Sequence, residues 1–181
     1  SERARADSLL LNVFPSAVAE RLRAEPNARV VDDVADAAVL FADLVGFTAW
    51  SAGKPAATVV GLLDQLFSRF DALTEQAGAQ KIKTIGDAYM AAVGVPPMSD
   101  ERRDPGTVSA ELALEIRAAV LRYRLMTGLP VEVRIGIHAG PVTAGIIGRS
   151  RFVYDLWGET VNLASRLEAT CPPGQIQMSI G

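Results

Sequence analysis

The chain has 181 residues, enough for one domain at roughly 100–200 residues per domain. Hydrophobic residues make up 49% of it and charged residues 22%, which supports a packed core, while 15 glycines and 10 prolines are too few for a collagen-like or low-complexity chain. A net charge of −3 argues against general nucleic-acid or anionic-membrane binding, and the single cysteine and single histidine exclude an intrachain disulfide and Cys- or His-rich metal centres.

No stretch approaches the ~20 unbroken apolar residues of a membrane span, and the opening SERARADSLL lacks the layout of a signal peptide. Residues 1–30 read as a helical lead-in, with Leu10, Phe14, Val18 and Leu22 at helical spacing and a break expected at Pro15. The remainder, 31–181, reads as one catalytic-sized domain. DAAVLFAD, 36–43, predicts a buried strand that closes on Asp43, and Gly46-Phe47-Thr48 predicts a turn or helix start. A helix is expected over 55–77, with Val59, Leu62, Leu66, Phe70 and Leu73 on one face and Gly78 stopping it. Strands at 81–85 and 88–95 flank Gly86-Asp87, a tight-hairpin signal. A loop over 96–106, a helix over 107–126, strands over 131–140 and 151–157, a helix over 159–169 and a strand over 174–180 complete the chain. This order predicts an α+β fold: a ferredoxin-like βαββαβ core with extra elements, an antiparallel-rich sheet with helices on one face.

Asp43 ends one strand and Asp87 sits at a hairpin tip, so neighbouring strands would bring the two carboxylates to one sheet edge. Such a pair suits a hard divalent ion completed by substrate phosphates; the other reading is an ordinary strand-end and turn aspartate. Backbone N–H groups of Gly46, Phe47 and Thr48 could cradle phosphate, or this is a plain strand-to-helix connection. Arg134 could reach a terminal phosphate or lie on a solvated face. Asn162 and Arg166, at i and i+4, share a helix face that could grip a sugar and a phosphate or simply meet solvent. Lys83 donates and Asp155 accepts, which matches the N1 acceptor and 6-amino donor of adenine; a surface salt bridge is the bland alternative. His138 reads as a structural imidazole, Cys171 has no assigned role, and Trp50 and Trp157 read as core or interface anchors.

Four blocks in order, FADLVGFT (41–48), KIKTIGDAYMA (81–91), VRIGIHAGPVTAGIIG (133–148) and YDLWGETVNLASR (154–166), resemble the class III adenylate/guanylate cyclase catalytic domain of bacterial adenylyl cyclase type. LLLNVFPSAVAERLR (9–23) resembles the helical segment that joins such domains to an upstream membrane or sensor region. The resemblance implies conversion of ATP to 3′,5′-cyclic AMP and pyrophosphate with two divalent ions, Mg²⁺ or Mn²⁺. It assigns Asp43, Asp87 and the Leu44 carbonyl to the metals, and Lys83 and Asp155 to the purine. Asn162 falls to the ribose, Arg166 to the α-phosphate and Arg134 to the terminal phosphates. In the family the metal aspartates come from one subunit and the purine and transition-state residues from the other. The expectation is therefore a homodimer with shared sites, the apolar segments of 142–157 helping to form its interface, in a cytoplasmic catalytic domain.

One departure from the family pattern stands out. The chain stops at Gly181 after a strand, where the family continues with a helix and hairpin that supply a phosphate-binding lysine, so this portion is expected to be missing. Rival readings are a guanylyl cyclase and a nucleotide-binding regulatory or dimerisation domain. The intact aspartates, Lys83, Asp155, Asn162 and Arg166 argue against the latter, and no Gly-Gly-(Asp/Glu)-Glu-Phe segment supports a diguanylate cyclase.

Overall fold

The computed structural model describes residues 2–97, 103–148 and 151–181. Residues 98–102 of the expected 96–106 loop, and residues 149–150 within the expected 142–157 interface segment, lie outside the described residues.

The lead-in forms α1 (Glu2–Val13) and α2 (Ser16–Ala24), split at Pro15, whose extended backbone (ψ 146°) caps α2 and cannot continue α1. Then follow β1 (Val31–Val45), α3 (Phe47–Ser51), α4 (Ala56–Gln76), β2 (Gln80–Ile85), β3 (Ala88–Val93), α5 (Pro105–Thr127), β4 (Glu132–Ile147), β5 (Val153–Trp157), α6 (Glu159–Ala169) and β6 (Ile176–Ile180). Asp104 caps α5 by accepting from the Thr107 N–H, with Pro105 in the first turn.

The sheet order is β2-β3-β1-β4-β5, with β6 parallel beside β4. Within it, β4-β1-β3-β2 is antiparallel and is the split βαβ core, with α4 and α5 as the crossovers. Both crossover helices cover one face. There Phe70, Leu66 and Ile116 pack on Leu40, Ala42 and Leu44. The opposite face is covered too, which the expected one-sided arrangement does not include. Phe14, Val18 and Ala19 of the lead-in and Ala164 of α6 pack there with Phe41, Met90 and Leu156. A second layer is possible because β4 carries glycines where α6 crosses. A Cβ on Gly136 would stand 2.1 Å from the Glu168 nitrogen and 2.5 Å from the Ala164 carbonyl oxygen, and one on Gly140 would stand 2.7 Å from Thr160 Oγ1.

Two strands run longer than their apolar patterns indicate. β1 begins at Val31 because its polar start pairs with the far half of β4, Val31 opposite Gly145 and Val34 opposite Val142. A bulge separates Val34 from Ala37, and Pro141 falls opposite it, where its missing N–H costs no ladder bond. Asp32 and Asp33 tolerate this position because Arg21 pairs with the first at 2.7 Å and Thr143 donates to the second. The bent sheet curls until its ends meet, Lys83 on β2 lying 2.7 Å from Asp155 on β5. A polar cluster anchors β3 to α4: the buried Tyr89 hydroxyl donates to Asp71 at 2.8 Å.

The Gly136 contact makes a direct prediction. Gly136→Ala should lower stability by roughly 1–3 kcal/mol through overpacking against α6. Gly61→Ala, exposed in α4 with nothing near its Cβ position, should raise it by about 0.5–1 kcal/mol. Urea unfolding of both variants measures the contrast.

Candidate active site

The β1–β3 ladder brings the two sequence-singled aspartates together. Asp43 lies opposite Ala88, so the hairpin tip that carries Asp87 sits beside the end of β1. The Leu44 N–H donates to the Asp87 carbonyl at 3.2 Å and fixes that tip. The two carboxyl groups come within hydrogen-bonding reach of one another. Burial, and next the charge of Asp43, hold the Asp87 carboxyl above its ordinary 3.8, with hydrogen bonds from its own backbone and from Thr48 pulling the other way. Two anions held at this distance favour a proton or a cation between them.

Arg134 faces the same point from β4, its residue paired with Asp43 in the ladder. Its Nη2 donates to Asp43 Oδ2 at 3.1 Å and its Nη1 to the Ala169 carbonyl at 3.4 Å, and its Nε lies 2.7 Å from Glu168 Oε1. Glu168 escaped the sequence reading. Burial, followed by the charge of Asp43, raises its carboxyl above the ordinary value, and Arg134 opposes that rise. One signal was available: an acid in the last turn of α6 sits at the wrong end of the helix dipole, so it needs a specific partner.

Beside the aspartates, Gly46 opens α3 at φ 81°, and a Cβ there would stand 2.8 Å from the Pro130 carbonyl. The Phe47 ring is buried against Trp50, which leaves its backbone for the site, and Thr48 is exposed. The Lys83–Asp155 pair joins the two sheet ends, and Asp155 Oδ1 also accepts the Leu156 N–H. Asn162 and Arg166 are exposed on α6, and among the described residues the Arg166 side chain reaches only Glu159, at 3.9 Å. Two residues along a helix are separated by about 200°, so Arg166 points away from Glu168 and the aspartates. Among the described residues, neither Asp43 nor Asp87 makes a hydrogen bond or ion pair with Lys83, Asp155, Asn162 or Arg166. His138 is buried and ties β4 to β6 through a 2.6 Å contact between Nδ1 and Ser179 Oγ, as a structural imidazole does.

The donor set also bears on a metal. Among the described residues no three His, Cys, Asp or Glu side chains gather as a metal-ligating cluster. Two converging carboxylates fit Mg²⁺ or Mn²⁺ where substrate phosphates and water complete the shell. No described helix is long and apolar enough to cross a membrane.

A ferredoxin-like core with paired aspartates at the β1 end and a β2–β3 hairpin beside it defines the class of nucleotide cyclase domains. Residues 30–180 match the adenylate and guanylate cyclase catalytic domain family, and the chain belongs to that family. It is 44% identical over 179 residues to an adenylate cyclase of Mycobacterium tuberculosis, covering 98% of this chain and 40% of that protein. It is 39% identical over 182 residues to human retinal guanylyl cyclase 1, covering 99% of this chain and 16% of that protein. The chain thus spans well under half the length of either relative. Among solved structures it resembles the catalytic core of a rhodopsin-guanylyl cyclase with converted specificity, in complex with ATPαS. The TM-score is 0.76 and the identity 34%, with 82% of this chain and 79% of that one covered.

The raised Asp87 carboxyl predicts a pH dependence. Because the folded state holds this proton more tightly, ionised Asp87 destabilises the fold above the ordinary 3.8; the cost grows through the interval up to the raised value and vanishes below 3.8. With a chelator present, Asp87→Asn should therefore raise the thermal unfolding midpoint at neutral pH, and the gain should shrink to nothing as the pH falls to about 3.8.

Proposed function

We propose that this domain converts ATP to 3′,5′-cyclic AMP and pyrophosphate, at sites shared between two copies of the chain. The observation that carries the reading is the convergence of Asp43 and Asp87 on one side of α6 while Asn162 and Arg166 project from its other side. One chain therefore holds both halves of a site facing apart, and a symmetric pair would set the aspartates of each copy against the Asn–Arg face of the other. Exposed apolar residues around β5, Ile147, Phe152, Val153 and Trp157, support this face as the interface.

Asp43, Asp87 and the Leu44 carbonyl would hold two divalent ions, which when bound supply charge neutralisation of the triphosphate and acidification of the ribose 3′-hydroxyl. The chain's own residues bind and orient. Lys83 donates to adenine N1, and Asp155 accepts from the 6-amino group. Asn162 orients the ribose so that its 3′-oxygen lies in line with the α-phosphorus. Arg166 meets the charge that develops on the α-phosphate as pyrophosphate leaves, an interaction strongest in the transition state. Arg134 and the backbone N–H groups of Gly46, Phe47 and Thr48 receive the β- and γ-phosphates. The 3′,5′-linked product forms as the 3′-oxygen gives its proton to solvent water and bonds to the α-phosphorus, while the α–β phosphoanhydride bond breaks and pyrophosphate leaves with its electron pair.

A guanylyl cyclase is the second reading, because retinal guanylyl cyclases stand among the relatives. Lys83 and Asp155 favour ATP: guanine offers an acceptor at O6 and a donor at N1, the reverse of what the pair presents. The mycobacterial adenylate cyclase at 44% identity supports the same choice.

Purified protein with Mn²⁺ and ATP should yield cyclic AMP, with GTP a poor substrate. Asp43→Ala or Asp87→Ala should lower turnover by on the order of 1,000-fold with the unfolding midpoint retained. No cyclic AMP from the wild type, with Asp43→Ala behaving the same, would support a binding module instead. Mixing Asp43→Ala with Arg166→Ala chains should restore about a quarter of wild-type activity, since half the dimers are mixed and each keeps one complete site. No recovery, with mixed dimers demonstrated, would sink the shared site.

A further inference from the structure

Arg134 has three anchors, and they are unequal. Its Nη2 bond to Asp43 Oδ2, at 3.1 Å, engages a carboxylate that the reaction needs for a cation. A guanidinium and a divalent ion on that carboxylate would repel each other. A cation bound there would therefore compete with Nη2 for Asp43. The other two anchors belong to the last turn of α6: the Ala169 carbonyl at 3.4 Å from Nη1, and Glu168 Oε1 at 2.7 Å from Nε. Arg134 Nε and Glu168 Oε1 are both shut off from solvent and lie 2.7 Å apart, so their mutual attraction offsets the burial of both. Glu168 competes with nothing on the substrate. Its side chain is only 13% exposed and lies on the face of α6 turned away from Asn162 and Arg166.

We infer that Glu168 is a positioning residue, holding the Nε edge of Arg134 so that the Nη2 edge, once displaced from Asp43, stays aimed at the terminal phosphates of the nucleotide. This rests on the reading of Arg134 as a phosphate contact. Without Glu168, the guanidinium would have Asp43 as its sole anionic partner. It would then compete harder with the cation and, when displaced, would have no fixed direction. The role differs from that of a fold anchor. A helix tether would act on stability and turnover alike, whereas a rein on Arg134 acts on cation and triphosphate binding, and only while Arg134 is present.

The test is a double-mutant cycle on the dimer, read by calorimetric binding of inorganic pyrophosphate with Mn²⁺ and by the separate kcat and KM for ATP. Glu168→Gln should weaken pyrophosphate binding and raise KM by about tenfold, the effect of one charge-assisted contact, and should raise the Mn²⁺ concentration for half-saturation. Glu168→Asp, which keeps the charge, should recover part of the loss. In an Arg134→Ala background, Glu168→Gln should add no further loss of pyrophosphate affinity. If Glu168→Gln costs as much affinity in that background as in the wild type, or leaves pyrophosphate binding unchanged while Arg134→Ala weakens it, the positioning role is overturned and the phosphate role of Arg134 survives. If Arg134→Ala itself leaves pyrophosphate binding unchanged, both fall.

Discussion

Two carboxylates held against their mutual repulsion are the constraint on which the rest of this domain depends. The β1–β3 ladder, the Leu44 N–H bond to Asp87 and the tight turn between β2 and β3 force Asp43 and Asp87 together. Burial, and next the charge of Asp43, raise the Asp87 carboxyl above its ordinary value. The surroundings relieve the repulsion with one cation, Arg134, delivered from the neighbouring strand in register with Asp43. A site that already recruits positive charge, and recruits it through a side chain that can move, is prepared for a different and stronger cation.

Much of this was legible in the sequence because its signals are local. Asp43 closes an apolar run and Gly86-Asp87 sits between two β-like runs, so a strand end and a hairpin follow from pattern alone, while their adjacency comes from the β1–β3 ladder. The helix from 159 to 169 was read to the residue, with Asn162 and Arg166 on one face. The missed features depend on partners far away in the chain. The first four residues of β1, Val31-Asp32-Asp33-Val34, form no apolar run and are held in the strand by residues 142–145 of β4 beside them. Gly140-Pro141 looks like a strand end, and becomes a strand interior because a bulge opposite absorbs the proline. Glu168 offers only its place at the unfavourable end of a helix; its meaning comes from Arg134 and Asp43, 34 and 125 positions earlier in the chain.

The lead-in shows the same lesson from the other direction. Its amphipathic spacing suggested a connector on the surface, and the break at Pro15 came where the ring demanded it. Yet Val18 and Ala19 have no exposed surface, and Arg21 holds Asp32 on β1. The segment is built into the core that supports β5, the strand carrying Asp155.

Gly136 and Gly140 bring α6 onto bare backbone at two points of β4. A cushion of aliphatic groups is compressible and can be retuned by any substitution that changes its volume. Peptide groups in van der Waals contact act instead as a hard stop, like the datum face from which a machinist measures. The reach of Asn162 and Arg166 above the sheet is therefore gauged from the main chain itself, and sequence drift elsewhere in the hydrophobic layers leaves that height unaltered.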